Sequence, residues 1–142
     1  MRFCVVGAGA MGGVYGLSLI EAGYEVNFLD VNRDHVNAVR ENGFRLSGIG
    51  EQKVHKINIS DNENDFKNSA DVVLFHAHTT GTKSAARSAA TVLKPDGYAI
   101  TLQNGIGNIE ALSEALGAKR VVGGISYHSA ALEDLGHVNH TN

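Results

Sequence analysis

Three glycines near the start of the chain have the spacing of a phosphate-binding turn. Gly7, Gly9 and Gly12 follow an apolar run and precede residues with helical periodicity, which is the G-x-G-x-x-G pattern of a dinucleotide-binding strand–turn–helix unit. The first glycine permits the tight turn, the second leaves room for a pyrophosphate, and the third lets the helix approach the strand. Ala10 precedes and Met11 begins the predicted helix, whose N-terminal N–H groups would face the phosphates.

An acidic residue stands where the second strand of such a unit should end. Asp30 lies roughly 20 positions after Gly9, the spacing of the carboxylate that accepts hydrogen bonds from the adenosine ribose. A carboxylate there would repel a 2′-phosphate, and the next residue is Val31 rather than a base, although Arg33 lies close by. We therefore predict a preference for NAD(H) over NADP(H).

Two other interpretations of this turn stay open. A glycine-rich turn between a strand and a helix can bind nothing at all, in which case Asp30 is simply solvated. Flavin dinucleotides are bound through the same fingerprint.

The bulk composition excludes several classes of protein. The 142 residues fit one domain, and a net charge of −3 argues against nucleic-acid binding, which needs clustered Lys and Arg. The apolar runs are of strand length, far below the ~20 residues of a membrane span. The single cysteine, Cys4, lies in the first apolar run, so we expect a buried, reduced thiol and a cytoplasmic protein.

Hydrophobic periodicity predicts alternating strands and helices with short connections. This order is that of a Rossmann-type doubly wound α/β domain, with a mostly parallel sheet and helices on both faces. A hairpin or two short strands are expected within 44–59, a loop or short helix at 61–68, a turn at 95–97, and a last strand in 136–142. Asn32 and Asn108 are expected to cap helices. The predicted strands are 2–6, 25–29, 72–75, 98–102 and 121–125, and the predicted helices are 11–22, 33–41, 82–93 and 108–116.

Four segments together resemble one enzyme family. The Leu-Gln-Asn-Gly-Ile-Gly run at 102–107 resembles the Leu-Gln-Asn-Gly-x-Gly segment of ketopantoate reductases (2-dehydropantoate 2-reductases), and the glycine turn and the stretches 33–46 and 136–141 agree. The resemblance implies reduction of a small 2-keto acid, such as 2-dehydropantoate in pantothenate biosynthesis, by a nicotinamide cofactor. It also implies a helical second domain that supplies the catalytic Lys and an acidic residue.

The same resemblance implies three further contacts at the cofactor. Asn104 would lie beside the nicotinamide ribose and the substrate, and Ala130 would lie along the same edge of the cofactor. An Asn-Gly pair also forms turns without any function. His78 occupies the position of a family Lys, and because a histidine is shorter and mostly neutral at pH 7, we expect altered substrate handling.

The extent of the chain limits the expected activity. No segment of the 142 residues matches the helical domain, so we expect a cofactor-binding fragment with no catalytic residue of its own and little or no turnover. A non-catalytic NAD(H)-sensing module and the cofactor domain of a polyol or sugar-acid dehydrogenase are the alternatives. An apolar face left without its partner domain would favour homo-oligomers.

Two histidines raise the question of a metal. His76 and His78 alternate after the predicted strand at 72–75 and so could face the same way. Zinc needs three or four ligands in a fixed geometry, and no nearby Cys, Asp or Glu completes a recognisable spacing. The sequence therefore predicts no metal site.

Overall fold

The computed structural model describes residues 1–77, 81–102 and 107–142. Within these ranges the chain forms strands and α-helices, with short 3-10 helices at Glu63–Phe66 and Ala118–Arg120. The strands are β1 (Arg2–Val6), β2 (Glu25–Leu29), β3 (Phe44–Gly48), β4 (Lys53–His55), β5 (Asn58–Ser60), β6 (Ala70–Phe75), β7 (Leu93–Thr101), β8 (Val121–Gly123), β9 (Ala130–Asp134) and β10 (His137–His140). The helices are α1 (Ala10–Glu21), α2 (Arg33–Asn42), α3 (Thr82–Val92) and α4 (Asn108–Leu116).

Six strands form one parallel sheet in the order β5-β2-β1-β6-β7-β8. The order reverses between β1 and β6, which creates the crevice at the carboxyl ends of the strands where open α/β sheets bind ligands. The predicted Rossmann-type fold is confirmed. No described helix is both long and apolar enough to cross a membrane.

Successive residues of β1 face the two opposite cores of the domain. Val5 packs with α1 and α2 on one face of the sheet, and Cys4 and Val6 pack with α3 and α4 on the other. Both faces are covered, which explains why the strand sequence is a continuous apolar run rather than an alternating one. Burial also raises the pKa of the Cys4 thiol to about 12, so this cysteine is no nucleophile.

A second, four-stranded sheet packs outside α1 in the order β4-β3-β10-β9. The hairpin expected within 44–59 is its antiparallel β3–β4 pair, whereas β5 leaves that segment and joins the main sheet beside β2. The expected last strand is β10, which pairs parallel with β3 and antiparallel with β9. The pairing of β10 with β3 and the strand β9 were not predicted.

Helix α1 is therefore enclosed on two sides, and its glycines mark both contacts. A Cβ at Gly16 would overlap the Phe28 ring and lie 2.9 Å from Val5 Cγ2, in the main sheet. A Cβ at Gly13 would lie 2.8 Å from Val138 Cγ2 and 3.0 Å from Phe44 Cζ, in the second sheet. Both positions need a residue without a side chain because the sheets approach the helix backbone closely.

Two local expectations differ from the structure. Asn108 is not the N-cap of α4; that position belongs to Gly107 at φ +104°, and Asn108 Oδ1 instead accepts a hydrogen bond from Thr82 Oγ1 at 3.2 Å. The turn expected at 95–97 lies inside β7 as an irregularity in strand pairing. There β6 advances from Ala70 to Val72 while its partner in β7 advances from Leu93 to Tyr98.

The packing of α1 predicts the effect of a single methyl group. Gly16→Ala should lower the free energy of unfolding by about 2 kcal/mol, because overpacking at Phe28 outweighs the ~1 kcal/mol that alanine gains in helix propensity. Urea unfolding followed by circular dichroism measures the change. Ser18→Ala, on the exposed side of the same helix, is the control and should stay within about 0.5 kcal/mol of wild type. Equal stability of the two variants would contradict the close approach at Gly16.

Candidate functional site

The glycine turn leaves β1 at the centre of the main sheet. Gly7 has a positive φ of +98°, and its N–H donates to the Leu29 carbonyl at 2.8 Å. A Cβ at this position would lie 2.5 Å from the His76 carbonyl oxygen, where the chain leaves the neighbouring strand β6. Only glycine satisfies both the backbone conformation and the narrow space.

Gly9 and Gly12 have different surroundings, as the motif predicts. A Cβ at Gly12 would overlap the Gly7 carbonyl oxygen, so this glycine allows α1 to start directly against the turn. A Cβ at Gly9 would meet no described residue within 4 Å, so the backbone borders space that these residues leave open. Gly9 is also the N-cap of α1, and no side chain from the described part of the chain caps this end of the helix by a hydrogen bond. The first N–H groups of α1, at Ala10 and Met11, have no partner within the helix and can donate to an anion.

Asp30 follows β2 and supports the turn directly. Its Oδ2 accepts the Ala8 N–H at 2.8 Å, and its Oδ1 accepts the Asn32 N–H at 2.8 Å. Each carboxylate oxygen has a second lone pair, so these bonds leave acceptor capacity for a ribose hydroxyl. The role of Asp30 in holding Ala8 was not foreseen from the sequence.

His76 lies directly after β6, beside the turn. Its backbone N–H donates to the Val6 carbonyl at 2.8 Å, and its ring stacks on Tyr15 of α1 with centroids 5.7 Å apart. The Nε2 atom is buried and has no hydrogen-bond partner in the described part of the chain. Burial lowers the pKa of His76 to about 4, so the ring is neutral at pH 7.

Tyr15 lies between His76 and a pair of histidines, His128 and His140. Its hydroxyl and the Ser126 hydroxyl lie 2.8 Å apart, and its ring makes an edge contact with His128. The Nδ1 atom of His128 and the Nε2 atom of His140 are 3.0 Å apart. No local pattern in the sequence signals this grouping, because its members come from α1, the β8–β9 connection and β10. Among residues 1–77, 81–102 and 107–142, no three His, Cys, Asp or Glu side chains are arranged to hold a metal ion.

The remaining residues suggested by the sequence are distributed as follows. Ala130 is the first residue of β9, pairs with His140 and packs against the apolar core on the α1 side. His78 and Asn104 lie outside the described residues. Of the residues suggested by the sequence, the structure brings Gly7, Gly9, Gly12 and Asp30 together at one edge of the sheet.

The sequence of the whole domain matches one family model. Residues 3–142 match the model described as Ketopantoate reductase PanE/ApbA. The chain belongs to the ketopantoate reductase family. This membership confirms the resemblance that the Leu-Gln-Asn-Gly-Ile-Gly run and the glycine turn indicate.

Curated ketopantoate reductases match almost the whole chain at low identity. The chain is 32% identical over 142 residues to the 2-dehydropantoate 2-reductase of Pyrococcus abyssi, covering 99% of this chain and 45% of that protein. It is 32% identical over 137 residues to the enzyme of Archaeoglobus fulgidus, covering 96% of this chain and 43% of that protein. The chain thus spans about half the length of the curated relatives it matches.

Solved structures with the same fold include ketopantoate reductases and a dehydrogenase. A PanE/ApbA family ketopantoate reductase from Ralstonia eutropha JMP134 superposes with a TM-score of 0.91 at 32% identity, covering all of this chain and 47% of that one. A ternary structure of D-mandelate dehydrogenase with NADH and anilino(oxo)acetate superposes with a TM-score of 0.92 at 25% identity, covering all of this chain and 46% of that one.

The buried ring of His76 predicts how the stability of this ketopantoate reductase family domain depends on pH. Because its pKa is lowered from 6.5 to about 4, the unfolded chain takes up a proton before the folded one does. The contribution of the neutral His76 ring to stability is complete above about pH 6.5 and is lost as the pH falls towards 4. Between pH 7 and pH 5 the protonation of this group alone should lower the free energy of unfolding by about 2 kcal/mol.

Urea unfolding at both pH values measures this loss. His76→Phe keeps a ring against Tyr15 but cannot take up a proton, so it should remove the contribution of about 2 kcal/mol from the pH dependence. The same pH dependence in wild type and variant would contradict the burial of His76.

Proposed function

We propose that this chain binds a nicotinamide dinucleotide at the glycine turn, as the cofactor-binding part of an enzyme that reduces a small 2-keto acid. The observation that carries the proposal is the open space at Gly9, in front of the uncapped start of α1. A pyrophosphate fits there because it needs hydrogen-bond donors and close access to backbone. The positive end of the helix dipole favours its charge.

Each residue of the turn has a role in this proposal. The N–H groups of Gly9, Ala10 and Met11 would hold the pyrophosphate, Gly12 keeps the helix close enough to present them, and Asp30 would accept hydrogen bonds from the adenosine ribose. The cofactor itself supplies the hydride, while the protein contributes binding and orientation.

The proposed substrate class is supported by the relatives. Curated members of the family are 2-dehydropantoate 2-reductases, and the similar D-mandelate dehydrogenase was solved with NADH and anilino(oxo)acetate. We propose that His78 and Asn104 contact the nicotinamide ribose and substrate, and that Ala130 lies along the same edge. We assign no general acid to residues 1–142, so their turnover should be slow or absent. Self-association of this chain stays a prediction.

A methyl group added at Gly9 should affect cofactor binding more than it affects folding. Gly9→Ala should weaken NADH binding at least about tenfold, because the methyl group would occupy the space of the pyrophosphate. Its free energy of unfolding should fall by only about 1 kcal/mol, since a Cβ at Gly9 meets no described residue within 4 Å, although the ψ of −148° lies outside the usual β region for alanine. Calorimetric titration with NADH and urea unfolding measure the two effects.

Ser18→Ala, on the exposed side of α1, is the control for this titration and should bind NADH as wild type does. If wild type binds neither NADH nor NADPH, the proposed function is wrong. If Gly9→Ala binds NADH as tightly as wild type, the cofactor does not lie over Gly9.

The proposed preference for NAD(H) depends on the charges after β2. Asp30 places a carboxylate at the proposed ribose position, and Val31 is exposed and uncharged. Arg33, three positions after Asp30, forms an ion pair with Asp61, with its Nε 3.1 Å from Oδ2. A 2′-phosphate would therefore meet the negative charge of Asp30, and it would compete with Asp61 for the guanidinium of Arg33.

Removing that carboxylate charge should change cofactor selectivity. Wild type should bind NADH more tightly than NADPH, and Asp30→Asn should reduce the ratio of the two affinities by about tenfold. The ratio is the useful quantity because loss of a turn hydrogen bond weakens both cofactors together. Parallel calorimetric titrations measure it, and an unchanged ratio in Asp30→Asn would exclude Asp30 as its source.

A further inference from the structure

A buried histidine joins the glycine turn to the second sheet. His35 lies in the first turn of α2, is 1% exposed, and packs edge-on against the ring of Phe44, with centroids 5.4 Å apart. One ring nitrogen, Nε2, lies 2.7 Å from the Ala8 carbonyl oxygen in the glycine turn. The other, Nδ1, lies 3.0 Å from the backbone nitrogen of Gly136, between β9 and β10.

The two partners determine where the proton of this ring lies. A backbone N–H can only donate, so Nδ1 of His35 must present a lone pair to Gly136. The proton of the neutral ring is then on Nε2, which donates to the Ala8 carbonyl. Both nitrogens are used, and a phenylalanine of similar shape would leave two buried backbone groups without partners.

Because the peptide bond is planar, the contact of His35 with the Ala8 carbonyl also determines the direction of the Gly9 N–H. The carbonyl of Ala8 and the N–H of Gly9 belong to one trans peptide and point in opposite directions. Holding the carbonyl on His35 therefore turns the Gly9 N–H away from His35. Among the described residues this N–H has no backbone acceptor, and a Cβ at Gly9 would meet none of them within 4 Å. The N–H can therefore face the site in which we propose the pyrophosphate lies.

Asp30 holds the preceding peptide in the complementary way. It accepts the Ala8 N–H at 2.8 Å, while His35 donates to the Ala8 carbonyl at 2.7 Å. The two peptide units on either side of Ala8 are thus each fixed by a side chain. Gly136 is fixed as well, because its carbonyl accepts the Arg45 N–H of β3 at 2.8 Å.

We propose that His35 is a positioning residue for cofactor binding: it orients the Gly9 N–H towards the pyrophosphate and ties that orientation to the β9–β10 turn at Gly136. This inference rests on the proposed dinucleotide site. In this proposal α2 and the second sheet help to orient the glycine turn after β1, although the turn belongs to neither of them.

Two substitutions separate the two bonds of His35. In His35→Gln the amide nitrogen of the new side chain can replace Nε2 and donate to Ala8, whereas in His35→Asn the amide oxygen can replace Nδ1 and accept from Gly136. Each variant loses one buried hydrogen bond, so their melting temperatures should fall by similar amounts. His35→Asn should weaken NADH binding about tenfold, and His35→Gln should stay within about threefold of wild type.

The controls separate positioning from general stability and from the proposed function. Phe44→Leu loosens packing around His35 without removing either hydrogen bond, so it should lower the melting temperature and leave NADH affinity within about twofold of wild type. If wild type binds NADH and the two His35 variants are weakened equally, the inference is wrong. If wild type binds no NADH, the proposed function itself has failed.

A measurement on wild type needs no substitution. Long-range ¹H–¹⁵N spectra of the histidine rings should show His35 with its proton on Nε2 and a free lone pair on Nδ1. The opposite tautomer would overturn the inference, because a ring with an unprotonated Nε2 cannot donate to Ala8.

Discussion

A planar peptide presents its C=O and its N–H on opposite sides, and this constraint governs the turn from which the rest of the domain is built. The Ala8 N–H is bound to Asp30, so the Gly7 carbonyl faces the other way, towards the start of α1. That carbonyl occupies the space a side chain at Gly12 would need. The Gly7 carbonyl therefore requires glycine at position 12. With no side chain there, α1 can begin directly against the sheet.

The close approach of α1 has a consequence on its far side. A helix that lies near one sheet through Gly16 can also accept a second sheet through Gly13, because both faces lack side chains at the contact. Phe44 and Val138 fill the second contact and bring β3 and β10 together over the helix. The second sheet is thus positioned by glycine, the same residue type that forms the turn after β1. Its β9–β10 turn in consequence reaches His35.

The sequence predicted what depends on near neighbours along the chain. The apolar runs at β1, β2 and β6, the N-cap at Asn32 and the glycine turn are all local, and the structure contains each of them. The pairing of β3 with β10 joins segments about 90 residues apart, and no period in either segment specifies its partner. The cap at Gly107 was missed for a related reason, since Asn108 is drawn away by Thr82 of another helix.

In the candidate site, too, the features set by near neighbours in the sequence were predictable and the contacts between distant segments were not. Its glycines and Asp30 are recognisable because fixed spacing relates them to one strand–turn–helix unit. The hydrogen bonds that orient the turn are not recognisable, since His35 and Gly136 are 101 positions apart in the sequence and come together only in the tertiary structure. A motif thus identifies where an anion can lie, while the direction of each N–H depends on contacts that the motif does not contain.

In the proposed function, the described residues of the glycine turn would bind an anion without cationic side chains. No basic residue lies in α1, and the chain carries a net charge of −3, so long-range attraction for a dinucleotide is weak. In the described part of the turn, a phosphate would be bound by N–H groups and the helix dipole, both short-ranged and dependent on direction. Such donors are effective only if they already point at the ligand, because reorienting a peptide on binding would consume the free energy gained. Fixing Ala8 from both sides, by Asp30 and His35, therefore matters more here than it would in a site built on Lys or Arg.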